Sequence, residues 1–294
     1  MAVRDNLGMR MKGYEQVAKY GLIRRMPVAI RIDGKAFHTF TRGMKKPFDD
    51  ILIKSMQDTM KYLCKNIQGC VLGYTQSDEI TLILVDYKEL NTSAWFDNEI
   101  QKICSVSASM ATFAFNRAFD FYVNEWGRST FPSWDDGGTY DELDEDAVKL
   151  NNVYQKAIEK GAMFDSRCFN IPKEEVVNLV YWRQLDATRN SIQMVAQANF
   201  SHNELQGLSC NLLQNKLLTE KDINWNNLPT TYKRGSCCVR NSYVVGTQEI
   251  VPGVEVENVI VRDMNQPEKA WIIDNEIPIF KDEGRRYIEI LVGL

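Results

Sequence analysis

The segment Val28-Ala29-Ile30-Arg31-Ile32-Asp33-Gly34 constrains the fold more than any other stretch of the chain. Val28, Ile30 and Ile32 alternate with Ala29 and Arg31, the period of a strand with one buried face. The run stops at an Asp-Gly turn, which holds a carboxylate at the end of a rigid element and follows it with a flexible backbone and Lys35. Glycine there lets main-chain N–H groups approach anionic oxygens, an arrangement suited to a metal-bound triphosphate. Asp-Gly is also a common turn dipeptide, so an ordinary turn is the competing reading.

A second acidic segment changes the balance. Cys70 to Thr75 and Ile80 to Val85 read as two β-rich runs, with Gln76-Ser77-Asp78-Glu79 at the tip of the hairpin between them. If the two regions are neighbours in one sheet, Asp33 and Asp78 meet at its edge. Two close carboxylates repel, and a pair of Mg²⁺ ions offsets that repulsion in the arrangement used for nucleotidyl transfer, with metals about 3.5–4 Å apart. Lys35 to His38 then supply main-chain N–H groups to the phosphates, Ser77 a hydroxyl, and Lys46 a charge.

The remaining chain supports an α+β architecture. Asp49 or Asp50 caps a helix whose Leu52, Met56, Met60 and Leu63 form an apolar stripe. A long helix is expected from Asn98 to Phe119, its small residues allowing close approach to a sheet. Helices are therefore expected on one face of an antiparallel sheet. Residues 124–165 read as an acidic insert, with seven acidic residues between Asp135 and Asp146 and a helix around Ala147 to Lys160. Further helices follow at 176–195 and 205–218, and Tyr232-Lys233-Arg234-Gly235 is a basic turn. Strands are expected at Tyr243 to Val245, Val254 to Val261 and Trp271 to Ile273.

Charge is distributed unevenly. Residues 1–65 hold 14 Lys+Arg against six Asp+Glu, while the whole chain carries −4, so one basic face on an acidic protein is expected. The seven cysteines form no CxxC pair and the two histidines give no zinc spacing, which points to reduced thiols. No apolar run is long enough for a bilayer and Met1 to Asp5 opens no signal sequence, so a cytoplasmic protein without a membrane partner is expected.

Taken together, these motifs resemble the tRNA-His guanylyltransferase family. The resemblance rests on Arg31-Ile32-Asp33-Gly34 with Phe37-His38 and Phe40, Lys46-Pro47 with Asp49, and Gln76-Ser77-Asp78-Glu79. Tyr181-Trp182-Arg183-Gln184 with Asp186 and Asn224 to Pro229 with Tyr232 to Gly235 follow in the family's order. It implies a fold like a polymerase palm, working in the 3′–5′ direction on tRNA 5′ ends. Asp33, the Gly34 carbonyl and Asp78 would hold two Mg²⁺ ions, and Lys35, Ala36, Phe37, His38 and Ser77 would line the triphosphate site. Asp49 belongs to the same nucleotide-binding set, and Lys46, Asp49 and Glu79 match positions that support activation. Catalytic roles thus fall to Asp33, Asp78, Lys46 and Glu79, and contacts to RNA or a second nucleotide to Arg183, Asn190, Lys233 and Arg234. ATP, GTP or other NTPs would be substrates, and a homo-tetramer is implied.

One departure separates the chain from the tRNA-His enzymes. Where they carry His-Ile-Asn-Asn, this sequence has Thr188-Arg189-Asn190-Ser191. That favours the guanylyltransferase-like 3′–5′ polymerases, which resemble template-reading enzymes of tRNA 5′-end repair, over specific G addition to tRNA-His. A palm-type nucleotide cyclase or signal-nucleotide synthase and a non-catalytic RNA-binding module are the alternatives. Residues 1–235 are expected to form the catalytic domain and 236–294 a strand-rich extension.

Overall fold

A computed structural model describes residues 6–131, 144–241 and 270–294. In chain order the elements are α1 (Asn6–Val17), β1 (Val28–Gly34), α2 (Phe37–Phe40), α3 (Asp50–Asn66), β2 (Cys70–Gln76), β3 (Glu79–Leu84), α4 (Ile100–Thr130) and α5 (Glu145–Lys160). Then come β4 (Phe164–Asn170), α6 (Val176–Asn199), α7 (His202–Leu205), α8 (Cys210–Lys221), α9 (Thr230–Arg234), β5 (Ser236–Arg240), β6 (Trp271–Asp274) and α10 (Arg286–Val292). The strands form one sheet in the order β4-β1-β3-β2-β5-β6, and every pairing is antiparallel. The expected α+β class with an antiparallel sheet is the one observed.

Helices cover both faces of that sheet rather than one. Val28, Ile30 and Ile32 turn to a core built with α3, α4 and α5, while Ala29 turns to a second core made with α6 and α10. The reason is visible in the central hairpin, where every residue of β2 and β3 is buried. A strand covered on both faces shows a continuous apolar run, as Cys70 to Leu72 and Ile80 to Leu84 do, instead of alternation.

On α3, the Asp49 cap accepts hydrogen bonds from the amides of Ile51 and Leu52, and Met56, Met60 and Leu63 are buried below it. Cutting one of these side chains to alanine removes about 2–5 kcal/mol of stability. The helix α4 runs past the expected end at Phe119 to Thr130, taking in Trp126 and Gly127. Trp126 packs edge-on to Tyr154 of α5, which explains why a segment with a glycine stays helical.

The edge strand β4 is an addition to the expected elements. Its Asp165, Ser166 and Arg167 give little apolar signal, and the ladder to β1 holds it in place. At the other edge, β5 and β6 come from the segment expected as a C-terminal extension, and they join the same sheet. Residues Pro132 to Leu143 of the acidic insert and the expected strands at 243–245 and 254–261 lie outside the described residues. All seven cysteines are free, and the Sγ atoms of Cys104 and Cys168 lie 3.6 Å apart. No helix among the described residues is long and apolar enough to cross a membrane.

Candidate active site

Asp33 stands at the last turn of β1 with Glu79 of β3 and Asp165 of β4 as its ladder partners, so three carboxylates lie abreast on adjacent strands. Like charges directly opposite one another oppose pairing. Burial first, and then the charges of Glu79 and Asp165, push the Asp33 carboxyl above the ordinary carboxylate range. At Gly34 the reason for glycine is space: a Cβ would stand 2.2 Å from the ring of Phe37. That ring belongs to a cluster with Phe40, Phe115 and Phe164, which fixes the chain as it leaves the strand.

The hairpin tip closes on the same point. The Gly34 amide donates to the Asp78 carbonyl at 3.1 Å, so the ends of β1 and of the β2–β3 turn are stitched together. Ser77 takes a positive φ of 50° to make the turn, and its hydroxyl donates to the Asp78 carboxylate at 3.0 Å. Burial raises the Asp78 carboxyl, opposed by the Ser77 hydroxyl and its own amide and assisted by the charge of Asp33. Asp33 and Asp78 are therefore brought near one another, the condition on which the two-carboxylate reading depends. The nearby arginines pair with Glu79 and Asp165 instead of with either of them.

Beside these carboxylates opens a cavity of about 440 Å³, lined by Gly34, Ala36, Phe37, His38, Lys46, Ser77 and Asp78 among others. Its size falls in the range of small-molecule sites. The Ala36 backbone is left-handed (φ 54°), which turns the chain into α2. The first amides of that helix have no helical acceptor and are available to a ligand. Phe37 is buried, whereas His38 and Lys46 are exposed. Lys35 is not part of the lining, and its amide donates to the Met163 carbonyl at 2.8 Å. Asp49 lines the cavity, yet its oxygens accept from the amides of Lys45, Ile51 and Leu52 and from the Tyr154 hydroxyl.

Glu79 differs from its neighbour Asp78. Its two oxygens accept from Arg183 Nε at 2.8 Å and from the Arg31 guanidinium at 3.0 Å, and Arg183 also binds Asp186 at 2.6 Å. Arg183 is thereby buried in an ion-pair network and is not displayed on the surface. Asn190 lines a smaller cavity of about 80 Å³ that shares Asp49, Leu52, Ser77 and Met194 with the larger one. Lys233 donates to the Asn226 carbonyl at 2.6 Å and lies over the Trp225 ring. Arg234 gives its carbonyl to the Tyr74 hydroxyl, and its Nε is buried without a hydrogen-bond partner.

A family model described as Thg1, tRNAHis guanylyltransferase, matches residues 8–172. The chain belongs to that family. A solved bacterial tRNA(His) guanylyltransferase (Thg1)-like protein in complex with ATP is 39% identical, with a TM-score of 0.73 over 98% of this chain and 100% of the other. A second structure described in the same words, in complex with GTP, is 36% identical with a TM-score of 0.70, over 99% and 100% of the two chains. The probable tRNA(His) guanylyltransferase of Dictyostelium discoideum is 27% identical over 73% of this chain and 75% of its own length.

The Thg1 match takes in Asp33, Gly34, Lys46, Asp49, Ser77, Asp78 and Glu79, and it ends before α6, which carries Arg183 and Asn190. As a metal site the centre offers only oxygen donors, and both carboxylates are raised first by burial, Asp33 further by Glu79 and Asp165 and Asp78 further by Asp33. Among the described residues no group of three or more His, Cys, Asp or Glu side chains forms a metal cage. Two carboxylates suffice for Mg²⁺, which completes its octahedron with water and substrate phosphates, so the residues fit that ion. Asp165 is the member of the cluster that sequence reasoning missed. The Phe164, Ser166 and Cys168 alternation on β4 is the faint signal that could have placed it.

Proposed function

We propose that this chain is a Mg²⁺-dependent 3′–5′ nucleotidyltransferase that adds templated nucleotides to the 5′ end of tRNA. The joining of the Asp33 and Asp78 segments beside a cavity that Gly34 and Asp78 line carries this reading. The ATP- and GTP-bound Thg1-like structures support nucleoside triphosphates as substrates. The departure at Thr188-Arg189-Asn190-Ser191 favours a repair-type enzyme over a dedicated tRNA-His one.

Asp33, Asp78 and the Gly34 carbonyl would hold the two ions, which supply charge neutralisation at the triphosphate and a sharpened attacking oxygen. The protein's own part is to bind and orient. Main-chain amides from Ala36 to His38, the Ser77 hydroxyl and the Lys46 ammonium grip the triphosphate. Glu79, fixed between Arg31 and Arg183, holds the strand end in register. In the first step an oxygen of the RNA 5′-monophosphate attacks the α-phosphorus of ATP, and pyrophosphate leaves. In the second the 3′-hydroxyl of an NTP attacks the activated 5′-phosphate, and AMP leaves. Residues 1–235 act as the catalytic domain and 236–294 as an extension whose β5 and β6 complete the sheet, with a tetramer and a cytoplasmic location as further parts of the reading.

Incubating the protein with 5′-truncated tRNAs, tRNA-His among them, plus Mg²⁺, ATP and NTPs tests this directly. Extension following the opposite strand is expected. Addition of G alone to tRNA-His would select the dedicated enzyme, and a cyclic or oligonucleotide product without RNA would select the signal-nucleotide synthase.

A further inference from the structure

Trp182 lies on α6, a helix that turns most of its large side chains inward, yet 51% of the residue is exposed. Its ring has two cationic neighbours, Arg183 with its guanidinium 4.3 Å from the centroid and Arg31 at 5.4 Å. Both guanidiniums are bound by the single carboxylate of Glu79. With these contacts in place, about half of Trp182 remains open to solvent. Cation–π contact of this kind fixes a ring in place.

The surroundings say what that open face suits. Arg31 is two residues from Asp33 on β1, and Glu79 follows Asp78 directly, so the indole sits one side chain away from the carboxylate pair. Arg167, the ladder partner of Arg31, and Arg189, two turns further along α6, expose 53% and 61% of their side chains. A flat π-face flanked by exposed guanidiniums matches single-stranded nucleic acid, whose bases stack and whose phosphates pair with arginine. We propose that the outer face of Trp182 is a stacking platform for an unpaired base of the RNA acceptor, held beside the reacting end. This rests on the reading of the site as an RNA-extending centre, and it adds a positioning residue to it.

The test compares Trp182→Leu, which keeps an apolar side chain without a π-face, with Trp182→Phe, which keeps a smaller one. Binding of a 5′-truncated tRNA transcript is measured by fluorescence anisotropy without nucleotides, and KM for ATP is measured separately. Trp182→Leu is expected to weaken RNA binding about tenfold and Trp182→Phe no more than about twofold, the loss of one base stack against its partial retention. KM for ATP and the melting temperature should stay at the wild-type values in both. Equal RNA binding by all three proteins overturns the platform, as does a loss in Trp182→Phe equal to that in Trp182→Leu. A change confined to KM for ATP overturns it too, since the base would then be that of the nucleotide. Should the wild type extend no RNA while Trp182→Leu still loses binding, the platform stands and the polymerase reading falls.

Discussion

Asp78 and Glu79 are adjacent in the chain and opposite in circumstance. Glu79 is gripped by two arginines and buried. Asp78 has only a serine hydroxyl and its own amide, and the charge that acts on it most is another carboxylate, Asp33. A carboxylate that is fully paired is a piece of framework, and removing its partner leaves a buried charge. A carboxylate raised by burial and by a like charge has its counter-ion still to come. The contrast separates the scaffold of this site from its working groups without reference to any relative.

The comparison breaks most sharply if Asp33→Ala or Asp78→Ala retains activity. Each is expected to lose about a thousandfold or more in extension rate, the loss of several kcal/mol of charge stabilisation, with a melting temperature no lower than that of the wild type. Next in size, Glu79→Ala and Arg183→Ala should each cost about 1.5–3 kcal/mol in denaturant unfolding, because a buried charged hydrogen bond is lost while Arg183 keeps Asp186 and Glu79 keeps Arg31. The pH dependence sharpens the same point. Asp33 and Asp78 titrate above the ordinary carboxylate value when folded, so the folded state holds their protons more tightly. Their contribution to stability is full below the ordinary value and is lost as pH rises through the raised one. Mg²⁺ at a hundredfold excess over its dissociation constant should restore about 2.7 kcal/mol at neutral pH, little at pH 4, and little at either pH in Asp33→Asn; calorimetry across that range measures it. The smallest effect is expected at Tyr154→Phe, which removes one hydroxyl from the buried Asp49 carboxylate and should cost about 1–2 kcal/mol, with a modest rise in KM for ATP.

Much of the site could be read before the fold was seen because its parts are local. The alternation from Val28 to Ile32, the hairpin around Ser77-Asp78 and the Asp49 cap are each decided within a few residues. What stayed hidden depends on distance along the chain. Arg183 is 104 residues from Glu79, and nothing in either neighbourhood says that they pair. The polar strand β4 has too little apolar pattern to announce itself, so Asp165 went unseen beside Asp33. The second helical layer was concealed in the opposite way, because runs buried on both sides look alike whichever elements cover them.

Gly34 and Phe37 share one volume, with 2.2 Å between an added Cβ and the aromatic ring. The two positions are therefore a single unit of variation. A library randomised at 34 alone returns glycine, whereas one that also shrinks residue 37 admits alanine, at the expense of the aromatic cluster that aims the following loop. Any attempt to reshape the mouth of this pocket has to begin with that pair, and redesign that treats the strand end and the loop as separate modules will fail at their junction.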